Sequence, residues 1–371
     1  LYQKYIGHDN NRDFFASTQP ETENINRVLY HEWLPQILYN HHQSGPAGTV
    51  VWSSPQRDPY NYNLDPLLIL GLQALGTHMH QRLAAEGKPG ATMASGGSYD
   101  GWWNGGIRNT GNFHNILAIL TETIGSPTPM RIPLVAQRQI PSRDLPYPIA
   151  PQEWRFKQSV DYSMSFNRGV LDYASRNREN LLFNIYKMGQ RSITRGSGDY
   201  WTPSPSRINA LPPTGGRGGS PEADAAAWAT LRKPERRDPR AYVIPSNQPD
   251  FPTAVKFVNA LREVNVAVHR ATAAFEVAGT RYPAGSFVVP ARTARLRVSQ
   301  TISRVTDAIA TARLVFDIAG TTGITKQALY CGWACGFPAF ISVGLLGRNR
   351  RLPISLSNRA AVSRTCASSA P

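Results

Sequence analysis

Between residues 21 and 33 apolar side chains recur four apart, at Ile25, Leu29 and Trp33. This spacing predicts an amphipathic helix, with Thr18 or Thr22 placed to cap its start. Residues 36–39 read as a short apolar strand that runs into Asn40, His41 and His42, and residues 49–52 as a second strand. Residues 65–86 carry a longer helical pattern that Gly87 stops. Residues 88–108 are glycine-rich and read as loop, and residues 115–120 form an apolar strand that delivers Thr121 and Glu122 at its end. Strand and helix in alternation predict an α/β layer fold.

The pattern changes after residue 126. Residues 126–151 are proline-rich and read as a boundary, residues 156–195 are helical with alternating charges on one face, and residues 202–219 read as a Pro/Gly/Ser linker. Residues 241–244, 253–263 and 266–268 predict a strand–helix–strand unit, and residues 275–289 a hairpin turning near Gly279. Four segments result: 1–126, a first α/β unit; 127–240, boundary, helices and linker; 241–291, a small second α/β unit; and 292–371, an atypical basic tail. No internal repeat and no phosphate-binding glycine loop is present.

Composition sharpens this division. Of 371 residues, 41% are apolar and 18% charged, which a folded core can accommodate. The net charge is +15, but it is unevenly placed. From Arg292 onward Lys and Arg number 11 against two acids, Asp307 and Asp317. All three cysteines (Cys331, Cys335, Cys366) also lie there, too few for a disulfide scaffold and with a CxxxC spacing that fits neither a zinc pair nor a redox pair. The abrupt change reads as a shifted reading frame or a disordered segment. The apolar run 328–346 is broken by Gly332, Gly336, Pro338 and Gly344, so membrane association is not expected. The scattered basic residues form no nucleic-acid motif, and no nucleic-acid partner is expected. No leader with a basic start and apolar middle opens the chain at Leu1.

Four clusters in the first 126 residues carry chemistry. In Gly7-His8-Asp9-Asn10-Asn11-Arg12-Asp13-Phe14, an Arg fork beside an Asn donor suits a carboxylate; a loop salt bridge is the plainer reading. In Asn40-His41-His42, a histidine at a strand end can ligate zinc, but neighbouring strand residues face opposite ways, so only one of the pair faces a site; a structural histidine is the alternative. In Ala94-Ser95-Gly96-Gly97-Ser98-Tyr99-Asp100-Gly101-Trp102-Trp103, the glycines allow a tight path past a ligand or an ordinary surface loop. In Leu120-Thr121-Glu122-Thr123, a carboxylate at the mouth of an apolar strand is costly unless paired or used, for example as a general base.

In this order the clusters resemble the zinc carboxypeptidase family typified by carboxypeptidase A, with its GVDxNRN motif, later strand-end zinc histidine, ASGGSxDW loop and strand-end glutamate. GHDNNRDF matches the first motif without a gap, and ASGGSYDGWWNGGI follows the third closely. The resemblance spans residues 1–126 and implies the C-terminal half of a catalytic domain, a carboxypeptidase-like mixed sheet flanked by helices. It implies that Asn11 and Arg12 hold the substrate's terminal carboxylate, and that Asp9 orients a zinc histidine from behind. It implies that His42 (or His41) is a zinc ligand, with Asn40 where an acidic residue is common. Glu122 would activate water and return its proton to the leaving amine. The expected cofactor is Zn2+, and the expected substrate a peptide or peptide-like amide with a free C-terminal carboxylate. The parent protein would be secreted or periplasmic. The family's HxxE zinc motif and its oxyanion-stabilising Arg are absent from the 371 residues and are expected upstream of Leu1, so this chain alone is expected to be inactive. The family's mobile Tyr falls on Thr92, and Tyr99 falls on the specificity-pocket position and also serves as a candidate substrate-binding residue. If the chain has lost the metal, the same residues describe a non-catalytic carboxylate or peptide binder.

Overall fold

The computed structural model describes residues 7–103, 105–212 and 218–291, together with a two-residue strand at Gly344–Leu345. The expectations for the basic tail and for the apolar run 328–346 lie outside the described residues apart from that strand. Among the described residues no helix is long and apolar enough to cross a membrane.

The chain opens with a helical turn, Asn10–Arg12, and helix α1, Pro20–Arg27. Neither Thr18 nor Thr22 caps α1. Thr18 instead donates its hydroxyl to Asp13 (2.5 Å), Gln19 is the capping position, and Pro20 begins the helix. Beyond Arg27 the coil widens to a π-helical segment, Val28–Trp33. The wider turn breaks the expected apolar stripe: Leu29 is buried, while Ile25 and Trp33 face solvent.

Strand β1, Ile37–His42, is followed by β2, Val51–Tyr60, helix α2, Pro66–Ala85, and β3, Ala91–Ala94. Strand β4, Asp100–Gly101, helix α3, Ile107–Phe113, and β5, Leu117–Thr123, complete the first unit. The segment expected to be loop at 88–108 therefore holds two short strands. Both are too short to announce themselves by alternation, and both exist because they pair with β2. The five strands form a mixed sheet in the order β1-β5-β2-β3, with β4 also on β2. Strands β1 and β5 are parallel, as are β2 and β3, while β2 and β5 run antiparallel. The mixed α/β architecture expected from the sequence is present.

Helix α2 is cut to fit one face of this sheet. Asp65 accepts the Leu67 N–H (3.0 Å) and caps it, and Leu68, Leu72, Leu75, Met79 and Leu83 are buried along one stripe. Gly76 lets α2 approach the Ser54–Pro55 backbone of β2, where a Cβ would meet the Ser54 carbonyl oxygen inside van der Waals contact. The two faces sort by alternation. Gly71 of α2 lies against Leu117, whereas Gly111 of α3 lies against Ala118 and Leu38. Leu117, Ile119 and Thr121 thus belong to the α2 face, and Ala118, Leu120 and Glu122 to the α3 face.

The segment expected to be a boundary is stitched to the first unit. The Gly90 N–H donates to Tyr147 O (2.7 Å) and the Met93 N–H to Asp144 O (2.9 Å), and β6, Met130–Ile132, pairs antiparallel with β7, Gln152–Trp154, on either side of this stretch in the chain. Helices α4, Phe156–Arg176, and α5, Arg178–Ser197, follow, and α4 packs on the outside of α2. A short helix, α6 at Pro205–Asn209, interrupts the expected linker, and α7, Pro221–Leu231, follows directly after it.

Residues from 241 form β8, Ala241–Ile244, α8, Phe251–Glu263, β9, His269–Arg270, the hairpin of β10, Phe275–Val277, and β11, Thr280–Tyr282, and then β12, Phe287–Pro290. Strands β8, β12 and β9 are adjacent in one sheet, with β13, Gly344–Leu345, on the far side of β8. The strand expected at 266–268 sits instead at His269–Arg270. The expected hairpin ends at Tyr282, with Gly279 at φ +79° in its turn, and β12 leaves it to pair with β8.

Candidate functional site

The carboxyl ends of β1 and β5 meet on the α3 face. In the parallel register His41 lies opposite Thr121 and His42 opposite Glu122. Directly paired residues share a face, so the two histidines part company. His41 goes to the α2 side, where Nδ1 contacts the Thr121 hydroxyl and Nε2 contacts the Ser163 hydroxyl of α4 (3.1 Å). His42 goes to the α3 side with Glu122. Burial lowers the pKa of both imidazoles, and the Arg108 and Arg12 charges press His42 further in the same direction. Neutral His42 carries one ring lone pair, the form a metal ligand requires, and in this structure that lone pair accepts a hydrogen bond from Asn11.

Asn11 joins the elements around His42. Its Oδ1 accepts the Ile107 N–H at the start of α3 (2.9 Å), which fixes the amide orientation. Its Nδ2 then donates to His42 Nε2 (2.8 Å). The amide has one further N–H for an incoming group. Asp9 accepts the Asn11 backbone N–H (2.9 Å), closing the turn, and lies 3.7 Å from Arg12. It acts on His42 through its charge, while Asn11 makes the hydrogen bond. Arg12 is 41% exposed, donates to the Asn11 carbonyl (3.0 Å) and spreads over the Trp103 ring at 5.2 Å. Its half-exposed guanidinium is the kind of planar fork that suits a soluble carboxylate.

Glu122 is 6% exposed, and its Oε2 has no hydrogen-bond partner among the described residues. Burial pushes its pKa up to about 7, against the pull of Arg108, Arg12 and the Ser44 backbone amide. A carboxylate poised near neutrality with an open oxygen can take and return a proton. Tyr99 closes one side. Its ring lies on Trp52 (centroids 4.6 Å apart), and its hydroxyl donates to Ser44 O (2.7 Å). Gly97 makes the approach possible, since a Cβ there would stand 2.6 Å from Trp52. Burial raises the Tyr99 pKa, so the hydroxyl stays protonated and able to donate at neutral pH.

Asn11, Arg12, His42, Tyr99 and Glu122 are therefore gathered at one mouth, with Asp9 behind them. Thr92 is not there: it is buried, and its hydroxyl donates to Asp144 O (2.7 Å). The mouth also holds Arg108 and Ser44, which sequence reasoning passed over. Arg108 directly follows the Gly105-Gly106-Ile107 end of the third cluster, and its basic side chain beside that loop was the available signal.

The same residues do not make up a zinc site. A protein zinc site takes at least three protein ligands. Among the described residues no group of three or more His, Cys, Asp and Glu side chains is gathered to hold a metal, and His42 is a single imidazole.

Compared with protein-family models, curated proteins and solved structures, the chain matches none.

Proposed function

We propose that residues 7–126 are the carboxylate-recognising and general-base part of a zinc carboxypeptidase site, acting on peptides with a free C-terminal carboxylate. The observation that carries this reading is the β1–β5 register, which sets His42 beside Glu122 while Asn11 links His42 to the turn that bears Arg12. Its order along the chain is that of the carboxypeptidase A family. Arg12 and the second Asn11 N–H hold the terminal carboxylate, and Tyr99 forms a pocket wall. Glu122 takes the proton of an attacking water and passes it to the leaving amine. His42 would supply one metal ligand on release of its ring nitrogen from Asn11, and among the described residues no further ligands are gathered beside it. In this reading the parent protein is secreted or periplasmic.

Binding tests the reading without requiring turnover. The 371-residue chain is expected to bind N-acetyl-L-phenylalanine more tightly than its C-terminal amide by calorimetry, with Arg12→Met removing the difference. Equal affinity for acid and amide in the unmodified chain would sink it. The chain alone is expected to release no terminal amino acid from a blocked dipeptide, even with added zinc. Release that a chelator abolishes would show that it completes the metal site by itself.

The Asn11–His42 hydrogen bond, which occupies the imidazole's acceptor nitrogen, supports one second reading, a carboxylate binder of the same fold without the metal. It makes the same binding prediction. It differs in expecting no hydrolysis from any longer form of the chain.

A further inference from the structure

Arg108 is unused by the reading above. It is the second residue of α3, whose first N–H is pinned by Asn11, so its backbone is held over the ends of β1 and β5. Its Nη2 donates to the Asp100 carbonyl (3.2 Å), and its Nε is buried with no hydrogen-bond partner among the described residues. A guanidinium has five N–H donors, and among the described residues this one gives a single hydrogen bond, to a neutral carbonyl. The Arg12 charge opposes it, so two cations share this mouth. The nearby acids are partly committed: Asp100 takes the Trp102 N–H (3.0 Å) and faces Arg57 (3.4 Å), while Asp9 takes the Asn11 N–H. Asp100 is the strongest counter-charge on Arg108, Glu122 adds to it, and Asp9 lies 3.7 Å from Arg12, yet none of the three is hydrogen-bonded to the Arg108 guanidinium among the described residues. A buried guanidinium with unspent donors beside a second cation is costly until an anion completes it, and the planar fork fits a carboxylate. The Tyr99 wall contributes a ring and a hydroxyl, neither of which repels an acid.

We propose that Arg108 receives the side-chain carboxylate of an acidic terminal residue whose α-carboxylate is held by Arg12, so that the preferred substrates are peptides ending in Glu or Asp. This rests on the role given to Arg12 above and adds the substrate class.

Three probes separate the two claims: N-acetyl-L-glutamate, N-acetyl-L-glutamine and N-acetyl-L-glutamine amide, each titrated into the full chain at constant ionic strength. Glutamate is expected to bind about tenfold more tightly than glutamine, the worth of one charge-assisted contact. Arg108→Met should bring glutamate down to the glutamine affinity while glutamine itself is unchanged, and Arg108→Lys should keep part of the preference. Equal binding of glutamate and glutamine by the unmodified chain overturns the proposal and leaves the carboxylate reading intact. A preference that survives in Arg108→Met also overturns it. Glutamine binding no better than its amide overturns both. Should Arg108→Met fail to fold, the unmodified chain and Arg108→Lys still decide.

Discussion

At the scale of single residues, the tension is concentrated at Glu122. Its folded pKa of about 7 stands above the ordinary 4.5, because burial costs the charged form more than Arg108 and Arg12 return. A raised carboxyl pKa means the folded state binds the proton more tightly than the unfolded chain. Stability therefore falls as pH rises from about 4.5 to about 7 and stays lower above that. Glu122→Gln should match the native chain in stability below pH 4.5 and exceed it at pH 8 by roughly 1–3 kcal/mol. Thermal melts at both pH values check this, and an unchanged difference across the range would count against it. Arg108 is the largest charge holding the Glu122 pKa down, so Arg108→Met should move the Glu122 titration upward, readable by carbon NMR of the carboxyl. A carboxyl group buried at the end of an apolar strand thus lowers stability where it is ionised.

At the scale of elements, β1 shows how a two-residue period assigns roles. His41 is tied to Thr121 and to Ser163 of α4, and His42 to Asn11. His42→Ala should disturb the Ile107 backbone amide, because Asn11 loses the acceptor that steadies it. His41→Ala should disturb Thr121 and Ser163 and leave Ile107 in place. An amide correlation spectrum of each variant reads the difference directly. Helix α2 offers a second case. Alanine in place of glycine inside a helix ordinarily gains about 1 kcal/mol. Gly76→Ala should instead destabilise by roughly 1–3 kcal/mol, since its Cβ meets the Ser54 carbonyl of β2 rather than a yielding side chain. Chemical denaturation measures the sign.

At the scale of the whole molecule, the C-terminal end of α8 is fastened to the first unit. A helix leaves its last carbonyls without partners. Here His31 Nε2 contacts Glu263 O (3.0 Å), and His114 Nε2 contacts Val264 O (2.7 Å). Asn265 sits at φ +57° and donates its side-chain amide to the Tyr30 carbonyl, while Tyr30 stacks on His114 at 3.8 Å. Asn265→Ala should cost about 1–3 kcal/mol, combining left-handed backbone strain with a lost hydrogen bond. Asn265→Gly should recover the strain and not the bond. Denaturation of the pair separates the two contributions, and equal losses would remove the backbone component.

The sequence determined what local chemistry can determine. The long periodic segments at 65–86 and 156–195 are helical because many residues repeat one preference, and Glu122 stands near the end of an apolar strand where the pattern put it. Alternation alone required that only one of His41 and His42 face a given side. The tertiary structure decided which one, because the face of β1 depends on its register with β5 and on α3 packing against Leu38 and Ala118. It also decided that Ala91–Ala94 and Asp100–Gly101 are strands, which exist only through their pairing with β2. Arg108 was visible as a cation beside the glycine-rich loop, but its place over the strand ends was hidden for the same reason. Nothing in its neighbours along the chain reveals that Asn11, 97 positions earlier, holds its helix against the strand ends. The pKa of Glu122 follows from burial among elements brought from across the chain, a property of the assembled surface rather than of any segment of sequence.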